Sequence, residues 1–108
     1  MQVIVEGKEM VVTPGLQAHA QKQAMKVTKL HKHIISLRLF LETIKKKSND
    51  PKANQVTYEI AIPGQDVVVK AHAIDMYEAI TKATDAAQRK LRKLAEKHRD
   101  LQREEVVG

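Results

Sequence analysis

The chain has 108 residues, a net charge of +6 and a sequence pI near 9.7: one domain's length, with a positive surplus that suits a polyanionic partner. At 43% hydrophobic and 30% charged residues it can bury a core, which argues against disorder. Cysteine is absent, which excludes a disulfide framework, a Cys-ligated zinc or iron–sulfur centre and a Cys nucleophile. No apolar run approaches the ~18 residues of a membrane span, and Glu6 comes too early for a signal peptide. A soluble, cytoplasmic protein is the expectation.

Residues 2–6 alternate around Val3 and Val5 and predict a short strand. Thr13-Pro14 has the form of a helix start, with Thr as N-cap and Pro in the first turn. Leu16, Ala20, Ala24, Val27 and Ile34 follow at helical spacing, which carries the predicted helix to Lys32 or His33. From Ile34 to Glu42 the odd positions, Ile35 to Leu41, are apolar, while Ser36, Arg38 and Glu42 alternate with them: a strand with one buried face. Lys45 to Asn54 reads as a polar, lysine-rich loop. The third strand turns Val56, Tyr58, Ile60 and Ile62 inward, Pro63-Gly64 makes a tight turn, and the fourth strand carries Val67, Val69, Ala71 and Ala73 on one face. Asp75 and Glu78 have capping-box spacing and open a second helix with the stripe Met76, Ile80, Ala83, Ala87, Leu91 and Leu94, predicted to end near Asp100.

The order β-α-β-β-β-α predicts an α+β two-layer sandwich. Strands one and two run parallel through a right-handed crossover, three and four form a hairpin, and both helices cover one face of a four-stranded sheet. Residues 1–100 are expected to form the domain, with 101–108 as a short flexible tail.

The positive charge is concentrated on the helices and one loop. Residues 14–33 hold Lys22, Lys26, Lys29 and Lys32 and no acid. Lys22, Lys26 and Lys29 share one side of the first helix, a line that His19 and His33 extend. On the second helix Lys82, Arg89 and Lys93 fall on the face away from the core, flanked by Lys90 and Lys97 on one side and by Arg92, Arg99 and Arg103 on the other. Two such ridges side by side would make a groove for a phosphate backbone. A solvated surface also carries lysines, but the lack of acids in residues 14–33 and the clustered arginines favour nucleic acid. Sheet-face RNA readers need exposed aromatics. Here Tyr58 points with the core set, Tyr77 sits in the first turn of the second helix, and Phe40 alone could occupy the open face. Backbone and shape recognition of structured RNA is therefore the better reading.

Nothing in the chain argues for catalysis. His19, His31, His33, His72 and His98 lack a metal-binding spacing, and the glycines form no phosphate loop. His72 and Asp75 have no nucleophile beside them. No cofactor or metal is expected.

Three segments carry a resemblance: Thr57 to Gly64 (TYEIAIPG), Asp75 to Ile80 (DMYEAI) and Arg89 to Leu94 (RKLRKL). Together with Gly7 to Pro14 before the first helix, they resemble the ribosome hibernation promoting factor family, which includes the ribosome-associated inhibitor, protein Y, over roughly residues 1–97. The likeness is to its short form. It implies a fold related to double-stranded-RNA-binding domains and a non-enzymatic protein. Such a protein binds the small ribosomal subunit and its 16S-type rRNA between head and body, blocks mRNA and A- and P-site tRNA, and preserves idle ribosomes under stress. It implies neither a membrane nor a small-molecule substrate, and a monomer is expected off the ribosome. The RNA-binding residues expected from ridges and resemblance together are Lys22, Lys26, Lys29, Lys82, Arg89, Lys90, Arg92, Lys93 and Lys97, with Lys26, Lys29, Arg89, Arg92 and Lys93 foremost. Many relatives carry Lys where this chain has Ala86; Lys82 and Lys90, one turn to either side, can supply that charge. The alternatives are a free-standing binder of structured RNA with no ribosome role, and a protein-interaction module using the open sheet face at Phe40 and Val68.

Overall fold

Strand β1 (Gln2–Lys8) is followed by α1 (Pro14–Thr28), β2 (Ser36–Thr43), β3 (Asn54–Ile62), β4 (Gln65–Ala73) and α2 (Met76–Val107). The computed structural model describes residues 2–31, 33–44 and 52–107, of which 97–107 are described as helical backbone without side chains. The expected lysine loop falls mostly outside the described residues.

The strands lie in the order β1-β2-β3-β4. β1 and β2 are parallel, with Val5 opposite Leu39; β2–β3 and β3–β4 are antiparallel, with Leu39 opposite Tyr58 and Tyr58 opposite Val69. Because side chains alternate along a strand, the row Val5, Leu39, Tyr58, Val69 faces the helices and the row Glu6, Phe40, Thr57, Lys70 faces away. Leu37, Leu39, Leu41, Val56, Tyr58 and Ile60 are fully buried beneath Ala20, Ala24 and Val27 of α1 and Ile80, Ala83, Ala87 and Leu91 of α2. The alanines let both helices sit close to the sheet, and burial of this set supplies most of the stabilisation. Phe40 lies on the open face, where it lines a shallow concavity of about 590 Å³ with Glu6, Glu42, Glu59, Val68 and Lys70.

Both helix starts form as their residues predict. Thr13 Oγ1 accepts from Leu16 N at 3.2 Å, and Asp75 Oδ2 accepts from Glu78 N at 3.3 Å, which satisfies amides that have no partner within the helix. Gly64 takes φ 87° in the β3–β4 turn, a conformation that favours glycine.

Three expectations differ from the structure. α1 ends at Thr28 rather than at Lys32 or His33. There the Thr28 hydroxyl donates to Met25 O at 2.8 Å and Leu30 N to Val27 O at 3.1 Å, a tightened last turn from which the chain turns back into β2. His33 is therefore off the helix, and Ile34 packs against the core from the connection. Ile35 is 60% exposed although its parity matches Leu37: it precedes β2, beyond the first β1–β2 pair, Gln2 with Ser36. α2 continues past Asp100 to Val107, since no glycine or proline interrupts it before Gly108.

Candidate nucleic-acid interface

The two helices meet at Gly15 and His19 of α1 and at Tyr77 and Thr81 of α2. A Cβ at Gly15 would lie 2.5 Å from Tyr77 Oη, so the Tyr77 phenol rests on bare α1 backbone. One turn on, His19 Nε2 lies 3.2 Å from Tyr77 O and 3.3 Å from Thr81 Oγ1, and its ring stands 5.2 Å from that of Tyr77. Moving from 15 to 19 along α1 moves from 77 to 81 along α2, so these stretches run in the same direction, side by side.

These contacts also define which flanks meet. At about 100° per residue, Lys26 lies about 20° and Lys22 about 60° around α1 from His19, so both project on the side turned to α2. By the same count Gln88 and Arg92 each lie about 20° around α2 from Thr81, on the side turned to α1, and Arg89 about 80° round, toward solvent. Lys90 falls about 180° from Thr81, on the opposite flank. Lys22, Lys26, Lys29, Lys82, Arg89, Lys90, Arg92 and Lys93 are all exposed. Lys29 is the C-cap residue of α1, where a cation also complements the helix dipole.

The expected residues thus form a valley and an outer face. Lys22 and Lys26 line one rim of the valley and Arg92 the other, while Arg89 and Lys93 crown α2. Lys90 extends the outer face away from α1. Lys82 is committed to Glu78 at 3.4 Å, one turn earlier on α2. The Lys97 side chain lies outside the described residues. Among the described residues no carboxylate comes within 4.0 Å of Lys22, Lys26, Lys29, Arg89, Lys90, Arg92 or Lys93; Arg89 Nε donates only to Asp85 O, at 3.5 Å. The floor between the rims is polar but uncharged at Thr81 and Gln88, with Gln23 almost wholly buried.

His19, which the helical spacing sets in line with Lys22, Lys26 and Lys29, is half-buried against α2 and belongs to this floor.

A family model described as Sigma 54 modulation protein / S30EA ribosomal protein matches residues 3–99. The chain belongs to this family. Within it, the chain is 31% identical over 106 residues to a ribosome hibernation promoting factor of Acinetobacter guillouiae, covering 94% of this chain and 90% of that one. It is 28% identical over 89 residues to a ribosome hibernation promotion factor of Deinococcus radiodurans, covering 82% of this chain and 46% of that one, and 27% identical over 97 residues to the ribosome-associated factor Y of Haemophilus influenzae, covering 90% and 85%. The fold matches that of a ribosomal subunit interface protein from Coxiella burnetii, with a TM-score of 0.76 at 18% identity over 88% of this chain and 98% of that one. It also matches the protein Y N-terminal domain of Thermus thermophilus, with a TM-score of 0.72 at 18% identity over 87% and 99%. The chain thus shares its β-α-β-β-β-α sandwich with these two structures.

Proposed function

We propose that this protein is a ribosome hibernation factor that silences translation by occupancy. Its helix face seats on the rRNA of the small subunit between head and body, where it excludes mRNA and A- and P-site tRNA. The observation that carries the reading is the set of exposed cations on the adjoining flanks of α1 and α2, which have no carboxylate within 4.0 Å among the described residues. A cation already paired gains little from a phosphate, whereas an unpaired one releases the phosphate's counterions on binding. The relatives named as hibernation factors and as a ribosome-associated factor support the ribosome as the source of that phosphate.

Lys26, Lys29, Arg89, Arg92 and Lys93 are the leading contacts, with Lys22 and Lys97 next. Lys90 extends the surface, and Lys82 contributes least because Glu78 already holds it. The protein acts in the cytoplasm, as a monomer off the ribosome and without catalysis. Sedimentation with ribosomes at low and high salt tests this. Co-migration with the small subunit that is lost as salt rises is the expected result; absence from that fraction at low salt overturns the reading. Equal affinity for a generic RNA hairpin and for the small subunit would favour a free-standing RNA binder instead.

A further inference from the structure

We propose that His19 is a proton-gated phosphate-binding residue in the valley between α1 and α2, one that strengthens RNA binding as pH falls. This deepens the reading above and rests on it.

The geometry assigns the ring's protons. Tyr77 O is a carbonyl and can only accept, so the His19 nitrogen 3.2 Å away, Nε2, carries hydrogen. Thr81 Oγ1 donates its own hydrogen to the same Tyr77 carbonyl at 3.1 Å, which leaves a lone pair to accept from Nε2 at 3.3 Å. Both contacts therefore need the Nε2–H form, and the neutral ring holds its free lone pair at Nδ1. A second proton goes to Nδ1. Nothing between the helices has to break, because Nε2 stays a donor in the imidazolium. The fold thus accepts a charge at this position without rearrangement.

The surroundings are mixed in sign. From α1, Lys22 and Lys26 project on the same side of the helix as the ring, about one and two turns along. From α2 the ring meets the Tyr77 phenol and the Thr81 hydroxyl, with the carboxylates of Glu78 and Asp85 about one turn to either side, about 60° and 40° round that helix from Thr81; Glu78 is held by Lys82 at 3.4 Å. A phosphate between the rims attracts a positive charge on the ring, so binding and protonation favour each other and linkage makes the effect reciprocal. Among side chains, imidazole is the one whose unperturbed charge change falls between about pH 5 and 8.

The test measures affinity for a short RNA hairpin at fixed salt from about pH 8 to about pH 5.5, a window bracketing ordinary imidazole titration. The wild type, His19→Gln and the double variant His31→Gln, His33→Gln are compared. Glutamine keeps an N–H donor toward Tyr77 O but takes up no proton. The expected result is about a tenfold gain in wild-type affinity on acidification, the equivalent of one unit of coupling. The gain should be retained by the double variant and largely lost in His19→Gln. An independent NMR titration of the wild-type His19 ring should show its midpoint move upward when the hairpin is added. An undiminished gain in His19→Gln, or a midpoint that RNA leaves unmoved, overturns the proposal. A flat wild-type pH profile with salt-dependent binding intact overturns the role of His19 and leaves the helix face as the RNA surface. No hairpin binding at any pH, with binding to the small subunit retained, overturns the role of His19 in general phosphate binding alone, whereas loss of both overturns the proposed function as well.

Discussion

Gly15 and Tyr77 are in contact because one of them has no side chain: a Cβ at Gly15 would stand 2.5 Å from the Tyr77 hydroxyl oxygen. The pair brings the first turns of α1 and α2 together, and the two cationic flanks are neighbours as a consequence.

Gly15→Ala sets two effects against each other. Alanine favours the helix over glycine by up to about 1 kcal/mol, but its methyl must displace the end of a partly exposed phenol. The expected result is a change in stability of under about 1 kcal/mol, together with altered His19 and Tyr77 NMR signals. A loss of several kcal/mol in denaturant unfolding would mean that Tyr77 cannot move aside.

Charge reversal should separate the valley from the far flank. Arg92→Glu, on the side of α2 turned to α1, should weaken small-subunit binding at least tenfold and reduce the salt slope of log affinity by about one. Lys90→Glu should do distinctly less, and Lys70→Glu on the open sheet face least. Equal losses at Arg92 and Lys70, measured by sedimentation across a salt series, would place the contact surface elsewhere.

Lys82→Ala removes a half-exposed ion pair with Glu78, and such i,i+4 pairs contribute only about 0.3–0.5 kcal/mol. Thermal unfolding should hardly change. Ribosome affinity should fall less than for Arg89→Ala, because Lys82 already has a partner.

In the core, Tyr58 Oη lies 2.8 Å from Thr84 Oγ1, which itself lies 2.8 Å from Ile80 O. Tyr58→Phe leaves the Thr84 hydroxyl its bond to the helix, so the cost should be about 1 kcal/mol. Thr84→Val strands a buried phenol and should cost more, about 1–3 kcal/mol. Burial pushes the Tyr58 phenol up from 10.0 to about 12. The folded protein therefore keeps this proton where the unfolded chain loses it. The associated stability is full below pH 10 and is lost as pH rises toward about 12. Alkaline unfolding should show Tyr58→Phe losing less stability than the wild type across that interval.

Much of the architecture was legible from local chemistry. Thr13 and Asp75 mark helix starts because a side-chain oxygen must take up free amides. Odd-numbered Leu37, Leu39 and Leu41 mark a buried strand face because side chains alternate. The inward setting of Tyr58 and the placing of Phe40 on the open face follow from the same parity. The reach of that logic ended at element boundaries. Ile35 shares the parity of Leu37 yet is exposed, since burial needs a neighbouring strand and a helix overhead. Ile34 fits the α1 stripe yet lies in the connection, because Thr28 and Leu30 bond into a closing turn first.

The candidate site divides in the same way. Residue order alone puts cations on one side of each helix, because the angle between two residues on a helix follows from their separation in the chain. It leaves open which side of α2 looks toward α1, since helix rotation is set by contacts between segments far apart in sequence. Packing of Tyr77 on Gly15, and of His19 on Thr81, turns Arg92 toward Lys22 and Lys26 and Lys90 away from them.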